Sequence, residues 1–328
     1  MPRVSAEILA QVATPVVGHG FAPHWGWYIV LYFFFGGLCA GSYFVATLLL
    51  LLGDPRDRDT IRLGYLISFP LLIVCTILLI LDLGVPSRFW HMVFQSKNVP
   101  ELMFKPWSPI SLGTWILSAF GLFSFVAFLG ALVDSGRLRW APVLRLADRV
   151  RGLPRQAVVA WNVLGSFFGF GLAGYTGVLV TATTIPVWQN ARLLGGLFLT
   201  SAASASYALL VLLLLRRGRA HSDPSVAKLA RADRFTVVLE LLLIVGLVLT
   251  LGQASRPITT GGFGVLFWVG AVGLGVVAPL LLHRTALGGW DAHRREVIAA
   301  VCVLVGGLIL RFVVVMSPQY PMVPLWAL

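Results

Sequence analysis

Eight long apolar runs leave this chain few ways to fold. About 20 helical residues cross a hydrocarbon core of about 30 Å. No water there can satisfy the backbone, so each run must close its own N–H and C=O groups as a helix. The runs are Trp25–Leu52, Ile61–Leu83, Ser111–Val133, Ala157–Thr183, Leu193–Leu215, Phe235–Leu251, Gly261–Leu282 and Glu296–Val315. Only 12% of residues are charged, against 58% hydrophobic, whereas a soluble domain carries about a quarter charged. The expected fold is an all-α polytopic membrane protein with eight transmembrane helices.

The formal charge of +12 does not point to nucleic acid, because nearly all the arginines lie between the apolar runs. Their distribution sets orientation instead. Eighteen lysines and arginines fall in or beside the loops that follow odd-numbered runs, among them Arg56, Arg137, Arg217, Arg231 and Arg294. Six fall on the opposite face: Arg3, Arg88, Lys97, Lys105, Arg192 and Arg256. The arginine-rich loops are therefore expected in the cytoplasm and both termini outside, in a bacterial cytoplasmic membrane whose lipids the apolar faces contact.

Residues 1–24 read as an outer-face N-terminal segment, with one arginine and no continuous apolar core. Ser5 to Val16 suits a short interfacial helix rather than a cleavable signal. Residues 25–328 read as one membrane domain. The first run carries Gly36-Gly37-Leu38 before Tyr43, and the fifth carries Gly195-Gly196-Leu197 before Tyr207. That echo suits two four-helix halves, or it simply lets helices pack closely. The longest outer loop, Gly84 to Ile110, is rich in Phe, Trp, Met and Pro, as a segment lying at the interface would be.

Cofactor chemistry is narrowed by what the runs lack. Cys39, Cys75 and Cys302 lie singly inside apolar runs, with no cluster-binding spacing. No histidine sits in the middle of a run, so no pair can ligate a membrane haem. The chain is expected to hold no haem, no iron–sulfur cluster and no metal, and to be non-catalytic alone.

Ionisable groups within a bilayer are expensive and read first as functional. Asp82 ends the second run, with Arg88 and His91 just beyond. Tyr175 lies about 27 Å along the fourth run, at about 1.5 Å per residue. Arg311 lies in the outer third of the eighth, and His24 immediately precedes the first. All six are expected at one depth near the outer face. Each alone has a plainer reading: Arg311 as a snorkelling side chain, the others as interfacial anchors. Glu240 stands apart, in the cytoplasmic half, as a proton-path carboxylate or as the partner of a loop arginine.

These residues resemble the NrfD/PsrC family, the quinone-interacting membrane subunits of polysulfide-reductase-type complexes. The resemblance rests on Asp82-Leu-Gly-Val-Pro86-Ser-Arg88-Phe-Trp-His91-Met and on Ser108-Pro-Ile-Ser-Leu-Gly113-Thr-Trp. It is supported by His24-Trp25-Gly26, Tyr175-Thr-Gly177 and Gly306-Gly307-Leu-Ile-Leu-Arg311. It implies two four-helix bundles, a quinone pocket near the outer face, a ferredoxin-like iron–sulfur subunit and a molybdopterin catalytic subunit. His24 and Tyr175 match quinone-hydrogen-bonding positions, and Asp82, Arg88, His91 and Arg311 match the other polar positions. Members with a defined pocket can carry Asn four residues before that histidine; here the position is Gly20, beside His19.

A quinone, whether menaquinone or ubiquinone, takes up protons with electrons, so its carbonyls need donors that water can reload. A histidine and a tyrosine suit that, and Phe89, Trp90 and Trp27 can supply an aromatic cleft. A small-solute transporter or channel would instead place paired polar groups at the midplane of broken helices. A structural anchor would need no polar convergence.

Overall fold

The computed structural model describes residues 25–95, 97–98, 100–136, 140–142, 144–145, 149, 152–284 and 291–319. The N-terminal segment, its Ser5–Val16 helix and His24 lie outside these residues.

Among the described residues, eight helices are long and apolar enough to cross a membrane. They are α1 Trp27–Leu52, α2 Arg58–Asp82, α3 Pro109–Asp134, α4 Arg155–Thr181, α5 Leu194–Arg216, α6 Pro224–Leu251, α7 Gly261–Leu282 and α8 Ala292–Met316. The described residues contain no strand, only one isolated bridge between Phe94 and Leu102. The chain is an all-α polytopic membrane protein.

Seven of the eight helices begin and end within about a turn of their apolar runs. The sixth does not. Hydropathy begins it at Phe235, whereas the helix begins at Pro224. Asp223 caps this extension by accepting a hydrogen bond from the Ser225 N–H at 2.9 Å, with Pro224 in the first turn, where its missing N–H costs nothing. The added turns are amphipathic, burying Val226, Leu229 and Asp233 while Arg231 and Arg234 stay exposed. An apolarity window passes over such a segment because four of the eleven residues from Pro224 to Arg234 are charged.

Neighbouring helices make a simple pattern. α1 packs on α2 and α4, and α3 lies between α2 and α4. α5 packs on α6 and α8, and α7 lies between α6 and α8. α1 joins the two sets by packing against α5 and α8, and α4 adds a contact with α5. Small residues set the closest approach. A Cβ at Gly41 of α1 would fall 2.7 Å from the Ala202 carbonyl oxygen of α5 and into Ser206. A Cβ at Gly306 of α8 would fall 2.1 Å from the Gly275 Cα of α7. Such backbone contact is how membrane helices gain dispersion energy where lipid already satisfies apolar side chains. α7 is wound as a π-helix over Leu266–Val277.

At the arginine-rich end, α1 stops at Gly53, whose φ of 72° suits glycine. Asp57 of the following turn is fully buried and accepts hydrogen bonds from Ser225 Oγ at 2.7 Å and Lys228 Nζ at 2.5 Å. Lys228 also reaches Asp54 at 3.1 Å, and Arg219 pairs with Asp59 and Asp223. These contacts tie the α1–α2 turn to the start of α6.

Candidate functional site

The motif of the Gly84–Ile110 loop folds down onto the start of α3. Ser108 caps α3 and Pro109 opens it. Trp115 Nε1 donates to the Met103 carbonyl at 2.9 Å, and Ser111 Oγ donates to the same carbonyl at 3.3 Å. The Lys105 N–H in turn donates to Ser111 Oγ at 3.0 Å. Without these bonds the loop carbonyls would face an interface short of donors.

Tyr175 reaches this point from α4. Its hydroxyl donates to the Pro109 carbonyl at 2.6 Å. The first carbonyls of a helix already serve intrahelical donors but keep a second lone pair. The ring fits because residue 113 is glycine; any Cβ there would fall 2.2 Å from the Tyr175 Cζ. Tyr175 is buried and stands within electrostatic range of Tyr32 on α1.

Asp82, Arg88 and His91 occupy one continuous stretch, the end of α2 and the 3₁₀ turn Pro86–Met92. Arg88 is exposed, Asp82 and His91 are half-buried, and the His91 ring lies 3.8 Å from that of Trp90. Among the described residues no hydrogen bond joins any of the three to Tyr175. Phe89, Trp90 and Trp27 all present exposed ring surface, and Trp27 stacks on Phe312 at 4.8 Å.

Arg311 is elsewhere. It is fully buried among α1, α5 and α8, where Nε donates to the Phe33 carbonyl at 3.1 Å. One terminal nitrogen donates to Ser201 Oγ at 3.1 Å and the Gly307 carbonyl at 2.8 Å. The other reaches the Phe198 carbonyl at 3.4 Å. The guanidinium lies 5.3 Å from the centre of the Phe198 ring, a cation–π contact. Its partners lie inside the protein, and it does not reach for headgroups. Tyr175 and Arg311 thus meet α1 at adjacent residues, Tyr32 and Phe33.

Glu240 is buried and interacts with Ser201 and with Arg311. The arginine it faces is therefore Arg311 rather than a loop arginine. Helix length explains the difference. Counted from Phe235 the carboxylate sits about 8 Å along its helix, but counted from Pro224 it sits about 24 Å along. Asp233, which lies ahead of the sixth apolar run and drew no notice there, is also buried and accepts a hydrogen bond from Ser204 Oγ at 2.6 Å. The available signal was spacing: Asp233 and Glu240 lie two turns apart on one face of α6, opposite Ser204 and Ser201 of α5.

Comparison with known proteins falls on the same ground. The sequence profile of the family described as "Polysulphide reductase, NrfD" matches residues 15–322. The C component of the polysulfide reductase of Wolinella succinogenes is 30% identical, covering 90% of this chain and 94% of that protein. Protein NrfD of Escherichia coli is 26% identical, covering 90% and 95%. The C component of the selenate reductase of Mesobacillus selenatarsenatis is 24% identical, covering 90% and 74%. With eight membrane helices and a match over nearly the whole chain, this protein belongs to the NrfD polysulphide reductase family.

Proposed function

We propose that this chain is the quinone-reactive membrane subunit of a reductase complex, exchanging electrons with an iron–sulfur subunit on the outer face. Two of the similar proteins are named as lettered components of larger enzymes, a polysulfide reductase and a selenate reductase. A lettered component implies companions, and the lack of cluster-binding cysteine spacing here leaves the one-electron carriers to them. A molybdopterin subunit would complete such a complex.

The observation that carries the reading is the Tyr175–Pro109 hydrogen bond beneath the folded outer loop. It puts a phenol at the point where the loop motif meets the helices. The chemistry of these residues suits a quinone. A phenol can exchange its carbonyl partner for a quinone oxygen of similar strength, and the half-buried imidazole of His91 can trade protons with water. The aromatic faces of Phe89, Trp90 and Trp27 offer apolar surface for a flat ring. A bound quinone would supply two-electron, two-proton redox chemistry. The protein's own contribution is to orient a carbonyl, donate to it and reload the donor. His24 belongs to the same proposed set.

The test is Tyr175→Phe, which keeps the ring and deletes only the hydroxyl. Quinol-dependent reduction of the partner's clusters in membranes, normalised to assembled complex, is expected to slow by about tenfold or more, or about 1.4 kcal/mol of transition-state stabilisation. Wild-type turnover would remove Tyr175 from the site.

A further inference from the structure

At the arginine-rich end, the turn between α1 and α2 meets the loop between α5 and α6 around a cavity of about 510 Å³. The turn and the start of α2 contribute Pro55, Arg56, Arg58 and Asp59. The loop and the start of α6 contribute Arg219, Asp223 and Pro224. The cavity belongs to a well-packed part of the protein. Leu49, Leu63, Leu214, Leu215, Val226 and Leu229 join α1, α2, α5 and α6 in one apolar cluster at this end. The last turn of α1 also leaves Leu51 and Leu52 exposed, immediately ahead of the turn that lines the cavity.

The charges around this cavity do not balance. Asp54 and Asp57 pair with Lys228, Asp59 pairs with Arg62 and Arg219, and Asp223 pairs with Arg219. All four carboxylates are therefore taken. Arg56 and Arg58 are exposed and make no ion pair among the described residues. Arg155, which opens α4, brings a further guanidinium beside Gly53. Six cations thus stand among four carboxylates. Arginines that only set orientation need loop positions, not a shared cavity. Arg219 is also held in place by two carboxylates from different segments, and these contacts leave part of its fork of five donors free.

We propose that this cavity binds the phosphodiester headgroup of one anionic phospholipid. Arg56 and Arg58 take the phosphate oxygens, which suit the planar guanidinium fork. Arg219 donates from the side of the α5–α6 loop. A lipid is favoured over a free phosphate by where the cavity sits. It lies at the ends of the membrane spans, with the exposed leucines of α1 adjoining it as apolar surface for an acyl chain. Basic pockets between membrane helices hold anionic headgroups in this way. A headgroup gripped by both segments ties α2 to the start of α6 from outside, as the Asp57–Lys228 pair does from within. The site stands whether or not a quinone binds near Tyr175, and whichever leaflet the arginine-rich end occupies.

The test is made on the full chain in an uncharged detergent, with phosphatidylglycerol, phosphatidylcholine or inorganic phosphate added. Native mass spectrometry counts the lipid retained, and hydrogen exchange locates it. One phosphatidylglycerol should be retained in preference to phosphatidylcholine, with protection at residues 54–59 and 219–224 that fades as salt rises. Arg56→Gln with Arg58→Gln should weaken retention about tenfold or more. Arg216→Gln with Arg217→Gln removes the same charge from exposed positions that do not line the cavity, and should leave retention unchanged. Equal loss in both double variants would reduce the effect to general surface charge and overturn the site. So would equal retention of the two lipids, or wild-type exchange in the two segments that phosphatidylglycerol leaves unchanged. Inorganic phosphate protecting the segments as well as phosphatidylglycerol does would make this a free-phosphate site and overturn the lipid.

Discussion

The Tyr175 ring occupies the space a side chain at Gly113 would need: a Cβ there would lie 2.2 Å from the ring and 2.3 Å from the hydroxyl. The two residues are 62 positions apart in sequence, and the fit sets where the phenol points. Gly113→Ala should therefore push the ring off α3 and break its bond to Pro109. We expect quinol turnover to drop about as far as in Tyr175→Phe, with overpacking costing about 1–3 kcal/mol in stability. In the double variant the two turnover losses should not add, because both act through one hydroxyl. Additive losses would mean that Gly113 matters for packing alone.

Arg311 and Glu240 both meet Ser201 and are expected to act as a second coupled pair. Arg311→Met removes the countercharge from a buried carboxylate and leaves carbonyls of Phe33 and Phe198 without that donor. A cost of about 3–5 kcal/mol is expected from thermal unfolding in detergent, the usual result of breaking a buried pair from one side. Replacing both groups, as Arg311→Met with Glu240→Leu, should recover much of it, since an apolar pair of similar volume needs no compensation. If the double variant melts no higher than Arg311→Met, the two side chains are not energetically coupled.

The clamp at the arginine-rich end makes stability sensitive to acid. Asp54 is held below its ordinary value of 3.8, first by the Arg56 backbone N–H and then by Lys228. A carboxylate lowered in the folded state contributes stability that is fully present above its unfolded value and lost as pH falls through its folded one. Acid below the ordinary carboxylate range should thus loosen the turn between α1 and α2, and Asp54→Asn should abolish that part of the pH dependence. Hydrogen exchange of the 53–58 segment across this range is the measurement. An unchanged profile in Asp54→Asn would remove Asp54 from the clamp. Asp57→Ala is the harsher change, since it takes a buried acceptor from Ser225 and Lys228; about 1–3 kcal/mol is expected.

Orientation is open to a direct check. Alkaline phosphatase needs disulfides that form only outside the cytoplasm. Fused after Gly218, between α5 and α6, it should be inactive; fused after Lys97, in the outer loop, it should be active. The basis is the eighteen-to-six split of lysine and arginine between the two faces. Activity at Gly218 would invert the protein.

The number and kind of elements were legible in the chain itself, because a bilayer reduces folding to one local question: whether about 20 residues can be apolar and self-bonded. That question is answered run by run, without knowing any neighbour. Helix ends outside the hydrocarbon escape it, which is why α6 begins at Pro224 rather than Phe235. The Asp82–Trp115 motif was equally plain, being contiguous. Depth was partly legible too, since counting along helices puts Tyr175 and Arg311 at one level. What no count along a helix supplies is azimuth, the direction each side chain faces. Azimuth depends on which small residues let which helices touch: Gly113 admits Tyr175 against α3, and Gly37, whose Cβ would meet Arg311 at 3.0 Å, admits the guanidinium between α1 and α5. Only the packed bundle therefore gave Tyr175 the Pro109 carbonyl and Arg311 the Phe33 carbonyl, and only it set Glu240 and Asp233 against Ser201 and Ser204. Those contacts are made between helices, by pairs of residues that carry no mark of each other in the sequence.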